Sequence, residues 1–104
     1  MLMGKAVGLL EVYGLATALY AADAVCKATN VTIGAIDKNK PANADALPVP
    51  LLIMVKFRGN VADVEEAIEV GKKAANEVAG YVAAHVIPSP DEDLEKLLKI
   101  NCIS

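Results

Sequence analysis

The sequence contains no tryptophan, one phenylalanine, one histidine and two cysteines in 104 residues. Aromatics make up only 4% of the chain although hydrophobic residues make up 55%. The apolar content is therefore carried largely by Ala and Val, which let backbones approach closely and favour a compact layered fold over a core of large rings. One histidine excludes a zinc-binding HExxH helix. Cys26 and Cys102 fit no CxxC or Cys/His metal spacing, and without a secretory signal they read as free thiols rather than a disulfide. A formal charge of -3 argues against nucleic acid as a partner, whose phosphates call for a basic face. No stretch reaches the roughly 18 consecutive apolar residues of a membrane span, and MLMGKAVGLLEV lacks a cleavage pattern, so a cytosolic protein without membrane partners is expected.

Catalytic signatures are equally scarce. There is no GxGxxG, no GxxxxGK[ST] and no arguable Ser-His-Asp ordering, so no cofactor is expected, and no catalytic or metal-ligating residue is assigned. His85 lies within an apolar run and is expected to be a satisfied structural histidine, since acid/base work needs a positioned partner. Glu11, in LLEVYG, is expected to be a structural or interface carboxylate. Neither makes an enzyme of the chain.

At this length one domain with a single core is expected, and so small a domain with so much apolar surface favours association with copies of itself. AVGLLEV (6–12) reads as a buried strand. From Leu15 to Ala28, apolar residues at Leu15, Leu19, Ala22, Val25 and Cys26 fall at three- and four-residue steps and predict a helix closed by Asn30. VTIGAI (31–36) and LLIMVKF (51–57) predict a second and third strand on either side of the polar, proline-punctuated DKNKPANADALPVP (37–50). Asn60 is placed to cap a second helix whose apolar face holds Val61, Val64, Ala67, Ile68, Gly71, Ala75 and Val78, with Gly80 as its stop. YVAAHVI (81–87) predicts a fourth strand. SPDE (89–92) is a capping box opening a short helix over roughly 90–98. The order βαββαβ predicts an α+β, ferredoxin-like sandwich with an antiparallel sheet and a short C-terminal helix.

Three ordered stretches carry a specific resemblance: VGLLEVYGLATALYAADAVCKATNV, VKFRGNVADVEEAIEVGKKAA and VAAHVIPSPDEDLEKLL. The pattern set by Gly8, Glu11, Gly14, Ala18, Ala21, Asp23, Lys27 and Ala28, the step Arg58-Gly59-Asn60-Val61, and the segment His85 to Pro90 resemble those of bacterial microcompartment shell proteins, the single-domain, hexamer-forming type. The resemblance covers nearly the whole chain except 37–50 and the extreme ends. It implies a BMC-domain fold spanning 1–104, flat cyclic homohexamers that tile into a shell in the bacterial cytoplasm, and a central pore for metabolites. Other shell paralogs and encapsulated enzymes are the implied partners.

The resemblance also distributes roles. Lys27, Asn30 and Ser89 fall at positions implied for the hexamer–hexamer edge. Many relatives carry an arginine where this chain has Ser89, and serine lacks the long bidentate donor, so weaker lateral tiling, or dependence on an arginine-bearing paralog, is expected. The tract 37–50 replaces a short glycine-containing pore loop. Asp37, Lys38, Asn39, Lys40, Asn43 and Asp45 are the expected polar lining, and Pro41, Pro48 and Pro50 remove backbone donors. Six such loops around one axis are expected to narrow or reshape the pore. A different class shares the fold: a signalling protein of the PII type, whose long loop senses nucleotides, although its phosphate-binding pattern is missing here.

Overall fold

The computed structural model describes residues 5–39, 52–91 and 94. Strand β1 (Ala6–Tyr13) leads into helix α1 (Leu15–Ala28), then β2 (Thr32–Asn39), β3 (Leu52–Gly59), helix α2 (Val61–Asn76) and β4 (Tyr81–Ile87). The described strands form one sheet in the order β2-β3-β1-β4, and every neighbouring pair is antiparallel. This is the ferredoxin-like arrangement that the βαββαβ order predicts.

Strand alternation decides which side is core. Residues directly opposite one another share a face, so Gly8 and Ile33 lie beside Phe57, and Leu10 and Ile36 beside Val55. These rows meet α1 through Ala18, Ala21 and Val25 and α2 through Val64, Ala67 and Ile68 in one buried cluster. The other face carries Leu9, Glu11, Met54, Lys56, Asp37 and His85. A bulge at Gly34, between Ile33 and Ala35, keeps both Ile33 and Ile36 on the core side.

Helix α2 sits unusually close to β1. A Cβ added at Gly71 would come within 2.7 Å of Leu10 Cδ2, and Leu10 is fully buried, so only hydrogen fits there. Asn60 caps the helix: its side-chain oxygen accepts the Asp63 N–H at 2.8 Å. Replacing Asn60 by Ala leaves that donor without its protein acceptor, and a loss of about 1 kcal/mol is expected from chemical denaturation. The helix ends at Asn76 rather than running to Gly80. Gly80 takes φ +98, a region that favours glycine, and its N–H returns to the Ala75 carbonyl at 2.8 Å.

Three expectations need correction. Strand β2 does not stop at Ile36 but continues through Asp37, Lys38 and Asn39, and β3 runs from Leu52 to Gly59, because the ladder between them is prolonged by pairing of Asp37 with Met54, Lys38 with Ile53 and Asn39 with Leu52. The buried face of α1 is Thr17, Ala18, Ala21, Ala22 and Val25, whereas Leu15 and Leu19 are 42% and 53% exposed; small side chains bring the helix close to the sheet and leave the leucine row on its flank. His85 is exposed rather than enclosed, because alternation sends it to the face away from the helices. The capping box and the helix over 90–98 lie mostly outside the described residues. Among the described residues no helix is long and apolar enough to cross a membrane.

Candidate assembly surfaces at the two ends of the sheet

The chain direction of each element sorts the candidate residues into two groups. β2 ends, and β3 begins, at the same end of the sheet as Tyr13 of β1, since Asn39 pairs with Leu52 and Leu52 with Tyr13. At the opposite end lie the start of β1, the end of β3 and the end of β4, joined by the pairs Ala6 with Gly59 and Val7 with Ile87. Seven residue steps along β1 separate these ends by roughly 23 Å.

Asp37, Lys38 and Asn39 occupy the first end. Alternation sends Asp37 and Lys38 to opposite faces. The Asp37 carboxylate accepts from the Lys56 ammonium in a close ion pair, with side chains only 18% and 10% exposed, so its charge is already matched within the chain. The geometry is diagonal: Lys56 lies opposite Ala35, two residues before Asp37. Lys38, opposite Ile53, is exposed. Lys40, Asn43 and Asp45 lie outside the described residues.

Lys27, Asn30 and Ser89 are all exposed and belong to the second end. Lys27 closes the last turn of α1, where a cation suits the helix dipole, and its Nζ lies 2.8 Å from Asp23 Oδ2 at i,i+4 spacing. That hydrogen bond, followed by the carboxylate's charge, raises the lysine pKa above its ordinary value, so the ammonium stays protonated at neutral pH. Both side chains are well exposed, so the pair orients Lys27 more than it stabilises the fold.

Asn30 meets Lys5, Asn60, Asp63 and Pro88 around a depression of ≈ 320 Å³. Ser89 follows directly on its Pro88 rim, and Pro90 beyond it is buried, which fixes the chain on both sides of the serine. Asn30 and the Ser89 segment, far apart in sequence, are thus brought to one feature. Sequence reading did not find this depression, because its walls come from four separate stretches. It also missed Lys56 as the partner of Asp37; the available signal was an acid and a base on facing strands at a diagonal register. Among the described residues no group of three or more His, Cys, Asp or Glu side chains could hold a metal ion.

Comparison with known proteins places this arrangement. The chain matches the BMC domain over residues 6–90. It is 37% identical to the bacterial microcompartment shell protein PduA of Citrobacter freundii, covering 90% of this chain and 91% of that protein. It is 36% identical to the carboxysome shell protein CcmK3 of Halothece sp., covering 94% of this chain and 89% of the relative. With the bacterial microcompartment shell protein EutM of Salmonella typhimurium it shares 31% identity over 93% of its length and 92% of the relative's. A solved microcompartment protein from Desulfitobacterium hafniense superposes with a TM-score of 0.70 at 27% identity, covering 92% of this chain, which spans about half (49%) of that longer chain. The chain belongs to the BMC domain family and is a bacterial microcompartment shell protein.

Proposed function

We propose that this protein is a structural tile: six copies close into a flat ring, the β2–β3 connections surround the axis, and Lys27, Asn30 and Ser89 form the outer edge where rings meet. The single observation that carries this reading is the segregation of the two candidate groups to opposite ends of the sheet. An element that must face an axis at one end and a neighbouring tile at the other needs that separation. The exposed leucines of α1 add a demand for lateral partners.

The role is selective passage and enclosure rather than chemistry. Residues 37–50 narrow or reshape the central pore. Because the Asp37 charge is matched by Lys56, the polar lining at the root is set by Lys38 and Asn39, with Lys40, Asn43 and Asp45 beyond them. A net ring of lysines favours anionic metabolites, and its influence weakens with salt because the Debye length shortens. The protein works in the shell of a microcompartment in the bacterial cytoplasm, beside other shell paralogs and facing encapsulated enzymes, and needs no cofactor.

Native mass spectrometry and electron microscopy of the purified chain test this. A six-copy disc with residues 37–50 around a constricted axis is expected; another copy number, or a wide axis with these residues lying off it, refutes the ring or the constriction respectively. Ser89→Arg is expected to increase sheet formation at a given concentration, since guanidinium supplies the reach and paired donors that serine lacks. Equal sheet formation by both forms would show that tiling does not depend on this position.

A further inference from the structure

Asn30 and Ser89 are exposed and lie beyond the ends of the strands, so the sheet ladder does not itself place them. The pair Val7 with Ile87 is the last rung between β1 and β4. The same antiparallel register, carried two residues further, sets Ala6 beside Pro88 and Lys5 beside Ser89. Pro88 has no N–H to donate, and the ladder stops there. Lys5, Ala6 and Pro88 nevertheless stay together as walls of the depression that Asn30 also lines.

A side chain from the neighbouring strand takes over where the ladder stops. Arg58 of β3 stands on the face away from the helices, opposite Val7 of β1 and Thr32 of β2, and is only 4% exposed. Its Nη2 donates to the Lys5 carbonyl at 3.0 Å, and it makes further interactions in the chain. Burying a guanidinium is costly unless it is hydrogen-bonded, so what its donors reach is what holds an arginine in this place. The stem needs room as well. A Cβ added at Gly34 would come within 3.2 Å of Arg58 Cγ and 3.7 Å of its Cδ. The bulge at Gly34 therefore leaves the space in which the arginine lies on the sheet.

We infer that Arg58 is a positioning residue for the outer edge of the tile: from β3 it holds the Lys5 carbonyl, and so fixes the Lys5–Ala6 wall beside which the Pro88–Ser89 segment is set. The Gly34 bulge is the space its stem requires. Contact groups serve recognition only when their supports lock them to within about 0.5 Å. Asn30 and Ser89 have short side chains, which cannot make up for a displaced backbone by reaching further. Arg58 is buried, so it acts through Lys5 rather than by touching a neighbouring tile. This inference rests on the edge reading above and names the side chain that keeps the edge in shape.

The test separates ring formation from sheet formation, in the parent chain and in Ser89→Arg. Arg58→Met keeps the apolar stem and removes the donors. Its circular dichroism and its rings by native mass spectrometry are expected to match the parent's. The protein concentration at which sheets appear by electron microscopy is expected to rise roughly fivefold to tenfold, the scale on which supporting residues modulate a distant site. Arg58→Lys, which retains a charged donor, is expected to fall between the two. Gly34→Ala pushes on the stem of Arg58 and is expected to raise the sheet threshold about twofold to threefold, yet to add nothing in the Arg58→Met background, where no guanidinium is left to misplace. A merely structural role would lower the urea midpoint of every variant and leave the sheet threshold of intact rings unchanged. Intact Arg58→Met rings with the parent's threshold, rings lost together with sheets, or an equal effect of Gly34→Ala in both backgrounds would each overturn the inference. Should Arg58→Met fail to fold, an unchanged threshold in Gly34→Ala overturns it alone. Intact rings that form no sheets in either the parent or Ser89→Arg would instead overturn the edge reading, and this inference with it.

Discussion

Phe57→Ala is expected to cost about 3–5 kcal/mol of folding stability, read as a large fall in the urea midpoint with little change in slope. Phe57 is the chain's one phenylalanine and is fully buried. It sits on β3 between Gly8 of β1 and Ile33 of β2, among alanines and valines of both helices. Gly8 has no side chain to move into the vacated space, and alanine and valine have few rotamers with which to reach it. The cavity therefore stays largely open, and the cost belongs at the upper part of the range for large-to-small changes. Against a typical domain stability of roughly 5–15 kcal/mol, the loss is about a fifth or more. Phe57→Leu keeps most of the volume and is expected to lose only about 1–2 kcal/mol. A loss below about 1 kcal/mol for the alanine variant would show that the helices can settle onto the sheet, contrary to the tight contact seen at Gly71.

The scarcity of aromatics that first marks the sequence thus has a structural counterpart: one ring fills the centre, and small residues let everything else close around it. Much of this was legible. Helix α1 and strand β4 have the predicted bounds, and the Asn60 cap is where its position before an apolar-periodic stretch put it. The family was legible too, because its motifs are local. The burial face of α1 was not: larger apolar side chains dominate a periodicity count, whereas in this two-layer domain alanine and threonine face the sheet and the leucines stay exposed. Nor was the length of β2. Asp37, Lys38 and Asn39 have the composition of a turn, and what extends the strand through them is the ladder with Met54, Ile53 and Leu52, partners whose distance in sequence no local window spans. The depression beside Asn30 escaped for the same reason, as a property of element ends meeting in space.

Removing one member of the Asp37–Lys56 pair is expected to be more damaging than removing both. The two side chains are largely shielded from water, and both make further polar interactions in the chain. Asp37→Ala leaves an ammonium, and Lys56→Met a carboxylate, without its closest counter-charge in a poorly solvated place; about 3–5 kcal/mol is the scale for breaking a buried pair from one side. In Asp37→Leu with Lys56→Met both charges are gone and apolar volume replaces them, so stability within about 1 kcal/mol of the parent is expected, giving strong coupling in a double-mutant cycle. The functional consequence lies at the root of the 40–51 connection, because Asp37 stands two residues before Asn39, which pairs with Leu52 as the last rung of the ladder. Hydrogen exchange of the β2–β3 amides near Asn39 should accelerate in the single variants and return towards the parent rate in the double one. Equal exchange in all four proteins would mean that backbone pairing alone fixes the root, and that the charges serve only the sheet's outer face. Exchange that stays fast in the double variant, with stability restored, would assign the pair a directing role in how the tract leaves the sheet towards the proposed pore.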